Sequence, residues 1–198
     1  SDLLETFGNK IPKDLKNNKI ILFLPTWRNN KKFNIFNFNF LESNINDFLN
    51  KNDCYLIINH HPFDRRENSN SKGNRIISLS TESDQVSNLL LAADVMITDY
   101  SSVYSEFLLT EKPMIFAKYD HEDYILEREL QVNYDDLPGE MIENWIDMTN
   151  ILNKIIVNNI DSYTDSRNKW RKDIYNGNDD GNSCERIVSF VKRLLELN

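Results

Sequence analysis

The chain has 198 residues, of which 40% are apolar and 27% are charged, and its formal net charge is −8. This length and composition predict one soluble domain, or one domain with an appendage, that folds without disulfides or a structural metal. The acidic balance argues against nucleic-acid binding, because such binding needs cations that displace counterions along a phosphate backbone. A small anionic ligand is still compatible with it, since that ligand needs only a local pocket.

The two cysteines, Cys54 and Cys184, are far apart and have no Cys or His companion at the spacing of metal ligands. They predict neither a disulfide framework nor a zinc site, and they favour a reducing compartment. No run reaches the roughly 18 apolar residues of a membrane span, and no signal-peptide pattern opens the chain. Because the sequence starts with Ser1 and not with Met, we expect it to be a piece of a longer protein.

Residues 1–18 are predicted to be a leading segment or linker, followed by one domain over 19–198. Short, continuous apolar runs, which are typical of strands buried on both faces, predict five strands. In chain order these are 19–25, 55–58, 75–79, 94–98 and 113–117. Segments with apolar residues at helical spacing lie between them. This alternation predicts an α/β fold with a doubly wound parallel sheet and helices on both faces.

Beyond residue 121 the strand signal disappears, and three helical segments are predicted around 121–130, 140–158 and 182–197. The last of these has apolar residues every three or four positions, so we expect an amphipathic helix that packs on the sheet. Two segments rich in Asn or other breakers, 29–39 and 64–74, are predicted to be irregular, although the first could also form an exposed strand.

Ligands of doubly wound sheets bind at the carboxyl ends of the strands, so the residues after each strand are the first candidates. Polar side chains follow three of the predicted strands: Thr26 and Arg28 after the first, His60 and His61 after the second, and Asp99, Ser101 and Ser102 after the fourth. Parallel strands bring these ends to one edge, where they predict a polar site.

The two hydroxyls of Ser101 and Ser102 precede a predicted helix over 103–110. Side-chain donors and free backbone N–H groups at a helix start are suited to a phosphate group. A plain N-cap is the alternative, because Ser is a preferred cap residue. Asp99 at the same strand end favours a functional site, since no packing argument requires an acid there.

An imidazole at the end of the second strand can protonate or hydrogen-bond a leaving phosphate. Strand alternation allows only one of His60 and His61 to face a ligand, and periodicity does not choose between them. Arg28 could bind a phosphate through its planar fork or be a solvated charge. Asp180 and Gly181 precede the last helix, where they either orient ligand hydroxyls or form a turn.

The sequence has no Gly-x-Gly-x-x-Gly, P-loop or Gly-x-Ser-x-Gly motif, which excludes the standard dinucleotide, NTPase and hydrolase functions. The acidic run around His121 lacks the spacing of a calcium loop and predicts a solvated helix start. No carboxylate cluster of the kind that holds Mg²⁺ is found either, so the sequence predicts metal-independent chemistry without a cofactor.

An ordered string of motifs runs along the chain: Pro25-Thr26-Trp27-Arg28, His61-Pro62, a block from Ala93 to Ser102 that ends in Thr98-Asp99-Tyr100-Ser101-Ser102, Lys112-Pro113, Tyr119-Asp120, Pro138-Gly139 and Asp180-Gly181. In order and spacing this string resembles the CDP-glycerol glycerophosphotransferases, which include the teichoic acid primases and polymerases. The resemblance covers residues 19–195, which is nearly the whole chain.

The resemblance implies a GT-B-like fold of two Rossmann-like halves, of which this chain is the C-terminal, donor-binding half. The activity it implies is transfer of glycerol phosphate, or another alditol phosphate, from CDP-glycerol or a related CDP-alditol to a growing cell-wall or capsule polymer. The acceptor would be bound through the other half, and nucleic acid would not be a partner. The full-length protein would be cytoplasmic and peripheral on the inner face of the bacterial cell membrane.

The resemblance also assigns roles to individual residues. It implies that His61 is catalytic and meets the donor pyrophosphate, and that Ser101 and Ser102 bind phosphate. It implies further substrate-binding roles for Asp99, Thr26, Arg28, Asp180 and Gly181. This half alone is expected to bind the donor but to turn it over poorly. Two other classes stay open: a GT-B glycosyltransferase that uses a nucleotide sugar, and a non-catalytic nucleotide-binding module.

Overall fold

A computed structural model of the chain describes residues 3–28, 42–60, 75–80, 83–130 and 132–196. One sheet has the strand order β3-β2-β1-β4-β5-β6, and every pairing in it is parallel. The strands are β1 (Lys19–Leu24), β2 (Cys54–His60), β3 (Ile76–Ser80), β4 (Val95–Thr98), β5 (Met114–Ala117) and β6 (Glu140–Ile142). The order reverses between β1 and β4, as in a doubly wound sheet. The predicted fold class is confirmed.

The helices of the described residues are α1 (Leu3–Phe7), α2 (Glu42–Lys51), α3 (Ser83–Ala92), α4 (Val103–Phe107), α5 (His121–Glu127), α6 (Trp145–Leu152), α7 (Thr164–Tyr175) and α8 (Ser183–Glu196). Single 3₁₀ turns cover Gly8–Lys10, Leu15–Asn17, Leu108–Thr110 and Tyr134–Asp136, and a π-helical turn over Asn153–Val157 continues α6.

The alternation of side chains along β1 shows how the core is divided between the two faces of the sheet. Ile20, Leu22 and Leu24 belong to one buried cluster, together with side chains of α1, α3 and α4. Ile21 and Phe23 belong to a second cluster, which they share with α2 and α6. Because both faces of the strand are covered, β1 has the continuous apolar sequence typical of a central parallel strand.

The segment ahead of β1 packs on the sheet. Leu3, Phe7, Ile11 and Leu15 recur at every fourth position, and all four are buried in the first core cluster. Treating residues 1–18 as a linker is therefore wrong for the described residues 3–18, which belong to the same core. That residues 19–198 form one domain stays a prediction.

The C-terminal part departs from the prediction at two elements. The strand β6 has three residues and pairs with β5 at the edge of the sheet that the described residues form, so its apolar run is too short to be recognised in the sequence. The helix α7 was also missed, because it has no apolar stripe and its one buried side chain is that of Arg167. That guanidinium forms an ion pair with Asp161, which precedes the helix.

The last helix, α8, forms as predicted but does not pack on the sheet. Its apolar side chains Ile187, Phe190, Val191, Leu194 and Leu195 are between 46% and 72% exposed. The expected packing is wrong because an amphipathic pattern indicates that a helix has an apolar face without indicating what covers it.

Two predicted irregular segments, 29–39 and 64–74, lie outside the described residues. In the part of the chain that the structure describes, no helix has both the length and the apolar character needed to cross a membrane.

Gly139, which precedes β6, lies against β5 so closely that no side chain fits. A Cβ atom placed on it would be 2.5 Å from the backbone oxygen of Met114 and 2.8 Å from Cε2 of Phe116. We expect Gly139→Ala to lower the free energy of unfolding by about 1–3 kcal/mol, as overpacking of a core does. Urea denaturation of the two proteins measures the difference.

Gly177 provides a matched control, because a Cβ atom there has nothing within 4 Å and its φ of +73° is one that Asn tolerates. Gly177→Asn should therefore leave the free energy of unfolding nearly unchanged. Equal stabilities of the Gly139→Ala and Gly177→Asn proteins would contradict the close packing of β6 on β5.

Candidate functional site

The loops that follow β1, β4 and β5 meet at the carboxyl edge of the sheet. Hydrogen bonds show that they touch: the backbone N–H of Thr26 donates to Oδ1 of Asp99 over 2.8 Å, and the Thr26 hydroxyl donates to the same oxygen. The structure therefore brings together the polar residues that the sequence placed after the first and fourth strands.

Asp99 is the centre of this contact. Its side chain is fully buried, and its Oδ1 also accepts the backbone N–H of Tyr100 over 2.7 Å. Burial raises the pKa of the Asp99 carboxyl above its usual value, although the charge of Arg28 and the hydrogen bonds from Thr26 oppose that shift. The carboxylate thus serves to hold the two loops together, and its oxygens face protein donors.

Arg28 lies in the same cluster and is only 7% exposed. Its Nη2 donates to Oδ2 of Asp99 over 2.9 Å, and its Nε donates to Oδ2 of Asp120 over 2.8 Å. Burial acts to lower the pKa of the guanidinium, but the hydrogen bond and charge of Asp120 and the charge of Asp99 outweigh it and raise the pKa. Arg28 is therefore a protonated, internally paired side chain and not a solvated charge.

Aromatic rings complete the cluster. Tyr100 stacks on Tyr124 of α5, with 3.9 Å between the ring centroids, and Tyr134 lies 5.1 Å from Tyr100. The hydroxyl of Tyr134 donates to the backbone oxygens of Asp99 and Ala117 over 3.2 and 3.1 Å. Burial is the main cause that raises the pKa of Tyr100 and of Tyr134, so both hydroxyls stay protonated.

Ser101 and Ser102 lie at the end of this block, at the start of α4. The Ser101 hydroxyl accepts the backbone N–H of Val103 over 3.3 Å, so part of its role is the helix cap. Ser102 is exposed and makes no side-chain cap bond, while its carbonyl oxygen accepts the backbone N–H and the hydroxyl of Ser105. Capping therefore explains Ser101 in part and leaves the Ser102 hydroxyl available.

A cavity of about 470 Å³ opens beside the cluster, within the usual size range of small-molecule sites. Its lining consists of residues 118–123 and Glu143. The acidic run does begin a helix, in which Glu122 and Asp123 are exposed. His121 is partly buried instead, with its ring 5.3 Å from that of Tyr134. Among the residues described, no three His, Cys, Asp or Glu side chains are grouped so that they could hold a metal ion.

The two adjacent histidines are described only in part. His60 ends β2, and its Nε2 lies 3.0 Å from the hydroxyl of Ser78 on the neighbouring strand β3. This contact is consistent with a structural role for His60. His61 and Pro62 lie outside the described residues, so the catalytic role of His61 stays a prediction.

Asp180 and Gly181 form the turn that leads into α8. The Asp180 carboxylate accepts the backbone N–H of Asn182 and pairs with Arg186 at 2.8 Å, and Gly181 has a φ of +80°. The hydrogen bond from Asn182 and the pairing with Arg186 lower the pKa of Asp180 to about 2. These contacts support the turn that the sequence left as one alternative, and the ligand roles of both residues stay predictions.

The site also contains three residues to which the sequence analysis assigned no role: Asp120, Tyr124 and Tyr134. Asp120 was visible only as half of the Tyr119-Asp120 step in the ordered string of motifs. Local pattern does not identify them, since 92 residues separate Asp120 from Arg28, with which it pairs.

The fold and the edge of polar loops define a Rossmann-like α/β domain with a candidate ligand site at the carboxyl ends of its strands. Residues 7–193 match the profile of the family described as CDP-Glycerol:Poly(glycerophosphate) glycerophosphotransferase. The chain belongs to this family, and the resemblance found in its motifs is confirmed.

Curated relatives include enzymes for both alditols. The chain is 33% identical over 187 residues to the teichoic acid poly(ribitol-phosphate) polymerase of Bacillus spizizenii, with 89% of this chain and 28% of that protein covered. It is 31% identical over 183 residues to the teichoic acid glycerol-phosphate primase of Bacillus subtilis, with 92% and 45% covered. The chain thus spans less than half the length of either relative.

Among solved structures, the wall teichoic acid polymerase TagF matches with a TM-score of 0.66 and 22% sequence identity, over 98% of this chain and 47% of that one. The Staphylococcus aureus protein MnaA, in a structure with UDP, matches with a TM-score of 0.52 and 16% identity, over 100% and 50%. At these identities the two likenesses establish a shared fold.

Proposed function

We propose that this chain is the donor-binding part of a transferase that moves an alditol phosphate, glycerol phosphate or ribitol phosphate, from a CDP-alditol to a growing wall or capsule polymer. The observation that carries the proposal is the family match over residues 7–193. The curated relatives support it, since they are named as a teichoic acid poly(ribitol-phosphate) polymerase and a teichoic acid glycerol-phosphate primase.

In this proposal the donor pyrophosphate lies at Ser101 and Ser102. Helix α4 has only five residues, so its dipole contributes little, and the two hydroxyls are the main donors. The cavity lined by residues 118–123 and Glu143 would take the rest of the donor. Thr26, Asp99 and Arg28 would support the site by holding its loops, and Asp180 and Gly181 would border it from the turn ahead of α8.

The proposed reaction is an in-line displacement at phosphorus. An acceptor hydroxyl oxygen forms a bond to the phosphorus that carries the alditol, and the bond from that phosphorus to the oxygen of CMP breaks. CMP leaves with the electron pair, and His61 stabilises or protonates the departing phosphate. A base outside this chain takes the proton of the hydroxyl. Catalysis would come from positioning and charge stabilisation.

The acceptor and the location belong to the same proposal. The polymer would be bound by a second half of the full-length protein, at the inner face of the bacterial cell membrane. The teichoic acid relatives support the polymer acceptor, since they are named as a polymerase and a primase. The location is what the motif string implies through the family resemblance.

Calorimetry on the full-length protein tests this function. We expect the cytidine compounds, which are CMP and at least one of CDP-glycerol and CDP-ribitol, to bind more tightly than UDP-sugars and adenine nucleotides. The better of the two CDP-alditols identifies the transferred group. Tighter binding of a UDP-sugar than of every cytidine compound would indicate a glycosyltransferase. If the protein binds a CDP-alditol but an assay of polymer extension detects no transfer, the chain is part of a non-catalytic module.

A further inference from the structure

One buried guanidinium joins three strand ends at the candidate site. The contacts of Arg28 to Asp99 and Asp120 link the loops after β1, β4 and β5. Its Nη2 also donates to Oδ1 of Asp120 over 3.1 Å, and its Nη1 donates to the backbone oxygen of Thr26 over 2.8 Å. The Asp120 side chain is 8% exposed. All three nitrogens of the guanidinium therefore already donate to protein oxygens.

The same guanidinium rests against the aromatic stack. Its Cζ lies 5.0 Å from the ring centroid of Tyr100 and 4.7 Å from that of Tyr124, within the range of cation–π contacts. Tyr100 immediately precedes Ser101. Tyr100, and with it the backbone that leads into Ser101, is consequently held by the contacts of its ring and by the hydrogen bond of its backbone N–H to Asp99.

The charges of the cluster make the role of Asp120 testable. The cluster contains two acidic side chains, Asp99 and Asp120, and one basic side chain, Arg28, so acidic groups outnumber basic ones. A negative charge near a phosphate site would by itself weaken anion binding. Any favourable contribution of Asp120 to phosphate binding must therefore come from its effect on the position of other groups and not from its charge.

We propose that Arg28 and Asp120 are a positioning pair, which holds the loop of Ser101 and Ser102 in the geometry that binds phosphate. The proposal rests on the proposed function in that it takes these two hydroxyls as the phosphate donors. Arg28 and Asp120 act on this loop through Asp99 and Tyr100 and do not contact the phosphate groups of the donor.

Asp120→Asn is the informative variant, because it keeps the size of the side chain and leaves Arg28 paired with Asp99. In the ligand-free full-length protein, we expect the backbone amides of Tyr100 and Val103 to exchange hydrogen about tenfold faster, since contacting residues couple on this scale. In calorimetry, the affinity for CDP-glycerol should fall about tenfold. Arg28→Lys, which keeps the charge but loses the fork, should change both quantities in the same direction.

Two comparisons separate positioning from a general structural role. In a protein that already carries Ser101→Ala and Ser102→Ala, Asp120→Asn should cause no further loss of affinity. Asp53→Asn is the matched control, because Asp53 pairs with Arg75 at 3.5 Å while being 79% exposed, and it lies just before β2, at the sheet edge opposite to the site. We expect it to change neither exchange nor affinity.

Unchanged amide exchange in both Asp120→Asn and Arg28→Lys would overturn the proposal. Tighter CDP-glycerol binding by Asp120→Asn would also overturn it, because that result would make Asp120 a repelling charge only. If the unmodified protein binds no cytidine compound, the proposed function fails, and the exchange rates still decide whether the pair holds the loop.

Discussion

Replacing His61 by alanine in the full-length protein should slow alditol-phosphate transfer by about 10²–10⁴-fold, the usual effect of losing an acid or base group. The reason is the His61-Pro62 step after β2, which in the family resemblance brings an imidazole to the donor pyrophosphate. Without it, the negative charge that develops on the departing CMP loses a proton donor or hydrogen-bond donor. The initial rate of polymer extension from a CDP-alditol measures the effect.

His60 is the matched control, because it carries the same side chain one position earlier. Its contact with the Ser78 hydroxyl predicts that His60→Ala acts through stability, by roughly the 0.5–1.5 kcal/mol net value of one hydrogen bond. The melting temperature should fall while the transfer rate of the folded protein stays near that of the unmodified one. Equal losses of transfer rate in the two variants, or a loss confined to His60→Ala, would show that His61 is the wrong choice.

The sheet was predictable because its central strands carry their signal locally. The strands β1 and β2 are buried on both faces, so each has an unbroken run of apolar residues. An amphipathic helix has polar residues between its apolar ones, so such a run distinguishes a strand. Where burial is not expressed in the local sequence, prediction failed. The edge strand β6 is too short. The helix α7 is held by the ion pair of Arg167 and by the packing of Trp170 on the core, without an apolar stripe that the sequence would show.

The candidate site shows the same limit more sharply. Strand ends located the polar loops, and the motif string selected Thr26, Ser101 and Ser102 within them. The partners of those loops are set by contacts between distant parts of the chain, such as that between Arg28 and Asp120. No local pattern reports such a pairing, so the sequence left Arg28 open between a ligand contact and a solvated charge. The structure shows a third arrangement, in which it is internally paired.

The final prediction concerns the hydroxyls of Ser101 and Ser102. Replacing both by alanine should weaken CDP-alditol binding by about 1–3 kcal/mol, since each removes a neutral donor to a charged group. The single variants should differ in stability. Ser101→Ala also loses the bond to the Val103 amide, a cap contact typically worth about 1 kcal/mol, whereas Ser102→Ala loses no cap bond.

Ser102→Ala is therefore the decisive variant, because its affinity change cannot be attributed to a lost cap. Ser105→Ala is its control: that hydroxyl lies on the same helix but donates to the carbonyl oxygen of Ser102 over 2.8 Å, so its loss should alter stability and leave affinity unchanged. Calorimetry with CDP-glycerol and CDP-ribitol, paired with thermal melting, separates the two effects. If Ser102→Ala binds both donors as tightly as the unmodified protein, phosphate recognition does not take place at the start of α4. If the double variant has a lower melting temperature and an unchanged affinity, Ser101 and Ser102 serve only to cap the start of α4.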